Sequence, residues 1–243
     1  MNEEFFFSEE ISSEETPFLD LEKNLESNET LNLTRNYKGL RNLMLEVEWL
    51  ENRARNSKKT TDEDFDLDIS CFLLKCHINK KGEKIYYIDQ KSRQVVYNHE
   101  DFKKQAGVEH QGDKRTGKKN INDDDEIEKI HISFKKLDPK IDKILLFLTI
   151  YKAYERKQTF SLMEKSVIRL KDLDTNETLC SFELKREFDI YTGLIFGELV
   201  RNEEDDSWEF KRLGKGMPIG EDLNTYFKQY HKHPHAVQEI LNS

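Results

Sequence analysis

Long apolar runs are missing from this chain of 243 residues. No stretch approaches the ~18–20 consecutive apolar residues that a membrane-spanning helix needs, so a transmembrane protein is not expected. Cysteine is scarce: Cys71, Cys76 and Cys180 are odd in number, which argues against a disulfide framework. A basic excess is lacking too. The net charge is −9, whereas nucleic-acid binding requires a Lys/Arg footprint, so no nucleic-acid partner is expected. The M-N-E-E start lacks the basic start and cleavage site of a secretory leader, and the expected location is cytoplasmic. Also absent are G-x-S-x-G, H-E-x-x-H and a phosphate-cradling glycine loop, which removes the familiar hydrolase and nucleotide signatures.

The charge that is present is unevenly placed. Residues 1–30 hold ten acids against one base, Lys23, which accounts for the whole imbalance and leaves the rest near neutral. Residues 1–29 read as an acidic, disordered tail, interrupted by the aromatic patch Phe5–Phe7, which is either solubilising or a docking motif. Residues 231–243 read as a C-terminal tail whose H-K-H-P-H run, His231 to His235, lacks the companions of a metal site. Between them, 15 Phe and 9 Tyr in the chain supply a core for one domain over residues 30–230.

That domain is dominated by short runs with period-two alternation and Val, Ile, Phe and Tyr enrichment. Strands are expected at 30–34, 43–49, 65–74, 84–89, 127–134, 143–150, 166–172, 178–183, 193–201 and 208–212. Turn signals such as N-K-K-G at Asn79 and D-T-N-E at Asp174 separate them. Short helices are expected at 139–143 and 221–230. Many short strands with few helices make a mainly β fold, a β-sandwich of two antiparallel sheets.

The run T-D-E-D-F-D-L-D-I-S-C-F-L-L from Thr61 to Leu74 carries the chemistry. Asp64, Asp66 and Asp68 interleave with Phe65, Leu67 and Ile69, so on a strand the apolar set faces a core and the carboxylates line one edge. Carboxylates only about 7 Å apart repel unless water or a cation separates them. On this strand Cys71 falls in the apolar phase, as a small buried hydrophobe. A second acidic block follows, with Asp113 flanked by Gly112 and Gly117, then Asp123, Asp124, Asp125 and Glu126. A strand and a glycine-punctuated loop can converge on one or two Ca²⁺ ions, which take 6–8 oxygens at roughly 2.3–2.6 Å. A solvated acidic loop beside a polar strand edge fits the residue types equally well. An EF-hand does not: counting from Asp64, Ile69 stands where glycine is needed and Lys75 where a bidentate Glu belongs.

These blocks, in this order, resemble the TerD family of tellurium-resistance and stress proteins. The run D-F-D-L-D-I-S-C-F-L-L, Asp64 to Leu74, is similar to the family's D-F-D-L-D-A-S-A-F-L-L. The run G-D-K-R-T-G from Gly112, with the later D-D-D-E, resembles G-D-N-x-T-G-x-G-D-G-D-D-E. Further likeness lies in T-L-N-L-T-R from Thr30, G-L-R-N-L-M-L-E-V-E-W from Gly39, V-Y-N from Val96, I-L-L-F-L-T-I-Y from Ile144, E-R-K-Q-T-F from Glu155, F-G-E-L-V-R from Phe196, W-E-F from Trp208 and G-K-G from Gly214. The resemblance implies a calcium-binding β-sandwich in which Asp66, Asp68 and Asp113 are ligands. Thr116 would contribute its carbonyl or hydroxyl, and Asp64 would orient a ligand from behind. The family's D-D-E aligns with Asp123–Asp125 or with Asp124–Glu126. Lys114 departs from the family Asn, and Lys118 to Asn122 replace its acidic and glycine positions in a longer loop.

The resemblance implies a non-enzymatic calcium-binding module of the tellurite- and stress-resistance type, a scaffold for protein partners beside a membrane. The alternative is a divalent-metal-dependent hydrolase built on the same carboxylates, which needs a base. His110 is the nearby histidine and is expected at the surface of a turn. A partner or small-ligand groove near Glu198, Arg169 and Trp208 is a further expectation, with Glu198 paired to an arginine.

Overall fold

Period-two alternation becomes two packed antiparallel sheets. The computed structural model describes residues 24–51, 65–87, 94–95, 104–105, 107–114, 127–184 and 186–217. Seven strands form one sheet: β1 (Thr30–Asn32), β3 (Leu67–Ile78), β4 (Lys84–Tyr87), β5 (Gln94–Val95), β9 (Lys143–Ile150), β12 (Gly193–Arg201) and β13 (Trp208–Met217). Their order is β1-β13-β12-β9-β3-β4, with β5 also on β3. The other sheet runs β11-β10-β2-β8-β7-β6, from β2 (Asn42–Glu51), β6 (Lys104–Gln105), β7 (Val108–His110), β8 (Glu128–Ser133), β10 (Met163–Asp172) and β11 (Thr178–Glu183). The expected β-sandwich is the fold found.

Between the sheets lie Phe65, Leu67, Ile69, Cys71 and Leu73 from one phase of the β3 region, against Ile144, Leu146, Leu148 and Ile150 of β9. Cys71 is fully buried, as its phase predicts. Phe182 stacks on Phe210 with ring centres 6.1 Å apart, and Trp49 donates its indole N–H to the Phe65 carbonyl at 3.2 Å. Each fully buried side chain of this size stabilises by about 1.5–3 kcal/mol. The opposite phase of β3 is buried as well: Phe72 meets Phe147 edge-on at 5.0 Å, and both are sealed from solvent. The strand expected to be half-buried is therefore covered on both faces at its start.

Several local expectations change. The Thr30–Thr34 strand ends at Asn32, whose side chain accepts the Arg35 N–H and caps a one-turn helix, α1 (Leu33–Asn36). Residues 139–143 form a turn rather than a helix. Asp138 draws the Lys140 N–H to its side chain at 2.9 Å and the Ile141 N–H to its carbonyl, and Lys143 already begins β9. The local Asx turn outcompetes a helix too short to nucleate. The helix expected at 221–230 lies outside the described residues.

Glu198 and Arg169 point to different outer faces and do not converge. Glu198 is paired with Lys143 at 2.6 Å instead of an arginine, and Arg169 with Glu48 at 2.6 Å. Trp208 borders a groove of about 690 Å³ with Arg35, Phe134 and Arg201, which neither Glu198 nor Arg169 lines.

Leu25 is already attached to the fold, its N–H donating to the Ser181 carbonyl and its carbonyl accepting from Arg212 Nη1. No helix among the described residues is long and apolar enough to cross a membrane.

Gly107, entering β7, has φ +95° and would place a Cβ 2.6 Å from the Leu137 backbone nitrogen, while its carbonyl accepts the Ser133 N–H at 2.8 Å. Gly107→Ala is expected to cost roughly 1–3 kcal/mol from strain and clash together. Urea unfolding of the variant measures it; an unchanged midpoint would show that this turn yields easily.

Candidate metal centre

Asp66 and Asp68 of the first acidic block meet Asp113 of the second at one end of the sandwich. Asp66 and Asp68 stand at the start of β3, where the Tyr151 N–H donates to the Asp66 carbonyl at 2.9 Å and Asp68 lies opposite Thr149 of β9. Sheet pairing thus holds both carboxylates on one phase of one strand. Asp113 arrives from the other sheet, three residues beyond the end of β7. One carboxylate oxygen from each of Asp66, Asp68 and Asp113 lies within 4.8 Å of the others. Two oxygens bound to one calcium ion can be at most about 4.6–5.2 Å apart, so this group fits around a single ion.

Burial makes the cluster costly without a cation. Asp66 is 3% and Asp68 8% exposed, and Asp68 Oδ1 is sealed from solvent with no hydrogen-bond donor among the described residues. Burial first, then the charges of Asp66, Glu128 and Asp113, hold the Asp68 carboxyl well above the usual carboxylate range. Arg156 acts the other way, as the last and weakest of these influences. Buried like charges resist ionising together unless something positive joins them. A donor set of hard oxygens with one orphaned carboxylate oxygen fits a hard cation such as calcium.

Asp66, Asp68 and Asp113 are therefore brought together as the sequence suggests. Asp64, Thr116, Asp123, Asp124, Asp125 and Glu126 lie outside the described residues.

Two neighbours were not foreseen. His110 is not at a turn surface: it ends β7, paired in register with Ile130 of β8, and its side chain is wholly buried. Its Nε2 lies 3.0 Å from Oε2 of Glu128, also wholly buried, although the approach lacks the straight geometry of a strong hydrogen bond. The Lys114 N–H donates to Glu128 Oε1 at 2.6 Å, and the Gly112 N–H donates to His110 Nδ1 at 3.1 Å. Burial raises the Glu128 carboxyl above its ordinary range, while His110 and the Lys114 N–H pull it back. A signal for Glu128 was present in phase: Glu128, Ile130 and Ile132 alternate along β8, and all three are buried. A charged residue in the apolar phase of a strand marks an interior polar partner.

The likeness to known proteins is broad. Residues 21–230 match the TerD domain. The chain is 31% identical to Bacillus subtilis YceE over 196 residues, covering 81% of this chain and 92% of that protein. It is 30% identical to B. subtilis general stress protein 16U over 200 residues, covering 81% and 91%. The tellurium resistance protein TerD of Alcaligenes is 28% identical over 192 residues, with 78% and 88% covered. A crystal structure of a Streptomyces coelicolor homologue of telluride resistance protein (TerD) shares the fold at TM-score 0.51 and 16% identity, covering 78% of this chain and 95% of that one. The match across nearly all of the sandwich means that this chain belongs to the TerD domain family of tellurium-resistance and stress proteins.

Proposed function

We propose that the chain is a calcium-dependent, non-catalytic binding module of the stress-resistance type, acting in the cytoplasm with protein partners beside a membrane. One observation carries the calcium reading: Asp68 is buried, its Oδ1 has no donor among the described residues, and the Asp66 and Asp113 oxygens lie within 4.8 Å. A bound cation would neutralise the cluster and tie the loop after β7 to β3, joining the two sheets at this end. Relatives named for tellurium resistance and general stress support the wider role.

The competing hydrolase would need His110 as a base toward a metal-bound water. Its Nδ1 instead accepts from Gly112 and its Nε2 faces Glu128, which favours a structural role.

Calorimetric titration tests the reading. Wild type is expected to bind calcium, and Asp68→Ala to lose at least one site or most of its affinity. Binding that is equally tight in both proteins would place any calcium elsewhere and remove the support this cluster gives.

A further inference from the structure

We infer that His110 and Glu128 form a latch that sets Asp113 in place before any cation arrives, both acting as positioning residues and neither as a ligand. The inference rests on the calcium reading above and concerns how that site is built.

Asp113 sits on a short excursion from β7, and the excursion is tied down on both sides. Before Asp113, the Gln111 N–H donates to the Lys129 carbonyl at 2.9 Å and the Gly112 N–H donates to His110 Nδ1. After it, the Lys114 N–H donates to Glu128 Oε1 at 2.6 Å. Gly112 makes the reversal possible, with φ +113°, a region that side-chain-bearing residues rarely adopt. Two amides flanking Asp113 thus end on a His and a Glu whose side chains are fully buried and belong to paired strands. Strand residues are a rigid base on which to hold a metal loop.

The proton follows from the geometry. An Nδ1 that accepts from Gly112 leaves the proton of a neutral imidazole on Nε2, the nitrogen that lies 3.0 Å from Glu128 Oε2. Glu128 thus accepts the Lys114 N–H at Oε1 and has the His110 ring beside Oε2, off the straight line of a strong hydrogen bond. It also lies outside the group of three carboxylates that share a 4.8 Å span. Its Oε1 holds the Lys114 N–H next to Asp113, and its Oε2 faces the His110 ring. The histidine-to-carboxylate contact here orients the chain bearing a ligand, as outer partners do at many metal sites.

The test uses the full chain. In EGTA, amide exchange at Gly112 and Lys114 is expected to be slow, and ¹⁵N shifts of the His110 ring are expected to report the Nε2–H tautomer and to stay put on calcium saturation. His110→Ala is expected to weaken calcium binding by about 10–100-fold without changing the number of sites. Glu128→Gln, which preserves volume and can still accept from Lys114, is expected to weaken it less. Amides that exchange as in an unstructured peptide until calcium is added would overturn the latch, as would His110 ring shifts that move on saturation. Loss of a site in Glu128→Gln would make Glu128 a ligand and overturn it too. If wild type binds no calcium, the calcium reading falls, while slow exchange in EGTA still sustains the latch.

Discussion

Calcium at about a hundred times its Kd is expected to raise the thermal midpoint by roughly 5–10 °C over the protein in EGTA, and Asp68→Asn to invert the ranking of mutant and wild type between the two conditions. Binding to the folded state alone contributes about 2.7 kcal/mol at that excess, and a domain of this size moves about 2–4 °C per kcal/mol. The inversion comes from Asp68. Its carboxyl is raised above 3.8 by burial and by Asp66, Glu128 and Asp113, so between the ordinary and the raised value the folded protein holds a proton that the unfolded chain has lost. Stability from this group therefore falls as pH rises through that window, and the cost is fully present above it. Asn removes the charge at nearly constant volume, and in EGTA at neutral pH it is expected to add about 0.5–2 kcal/mol, a few degrees. With calcium present the same variant falls below wild type, because the ligand is gone. For the same reason calcium affinity in wild type is expected to weaken as pH falls through the Asp68 window, since proton and cation compete for one carboxylate. Thermal scans in calcium and in EGTA at two pH values check all of this. A mutant less stable than wild type in EGTA would mean that Asp68 is satisfied without a cation.

The second large effect lies away from the site. Glu198→Ala is expected to cost about 3–5 kcal/mol, because it strands a buried ammonium. Lys143 Nζ lies 2.6 Å from Glu198 and 4.1 Å from the centre of the Tyr86 ring, and the ring alone replaces only a fraction of a buried ion pair. Lys143→Met should be milder. The Lys215 ammonium is near enough for the Glu198 charge to act on it, so Glu198 keeps a cation. The double variant Lys143→Met/Glu198→Leu exchanges the pair for apolar volume and is expected near wild type. Urea unfolding of Lys143→Met, Glu198→Leu and the double closes a cycle, with Glu198→Ala measured beside it. Equal losses in Glu198→Ala and in the double would show that packing, not the ion pair, is what matters there.

Legibility differed by the kind of signal. The alternation from Phe65 to Leu74 announced β3, and the long strands around it followed from the same periodicity. The two-residue β5 and β6 and the three-residue β7 left no periodic trace, because alternation over two or three residues is indistinguishable from chance. The helix expected at 139–143, after the D-P turn signal at Asp138, gave way for a related reason: a side-chain hydrogen bond two residues long overrides weak helix propensity. At the site, Asp66, Asp68 and Asp113 were readable from residue type and motif. His110 was read as a turn-surface residue and Glu128 was not singled out, since the burial of both beside each other follows only from the pairing of their strands.

Residue order alone was enough for the β-rich class and the carboxylate-bearing strand, because period, residue type and motif are local properties. Tertiary pairing decided the remainder. It buried both faces of β3 at its start, brought Asp113 from one sheet to Asp66 and Asp68 on the other, and set Glu128 between the Lys114 N–H and the His110 ring while leaving Asp68 Oδ1 with no donor among the described residues. Burial and opposition across strands are long-range properties, and they turn a row of acids into either a solvated edge or a cation site.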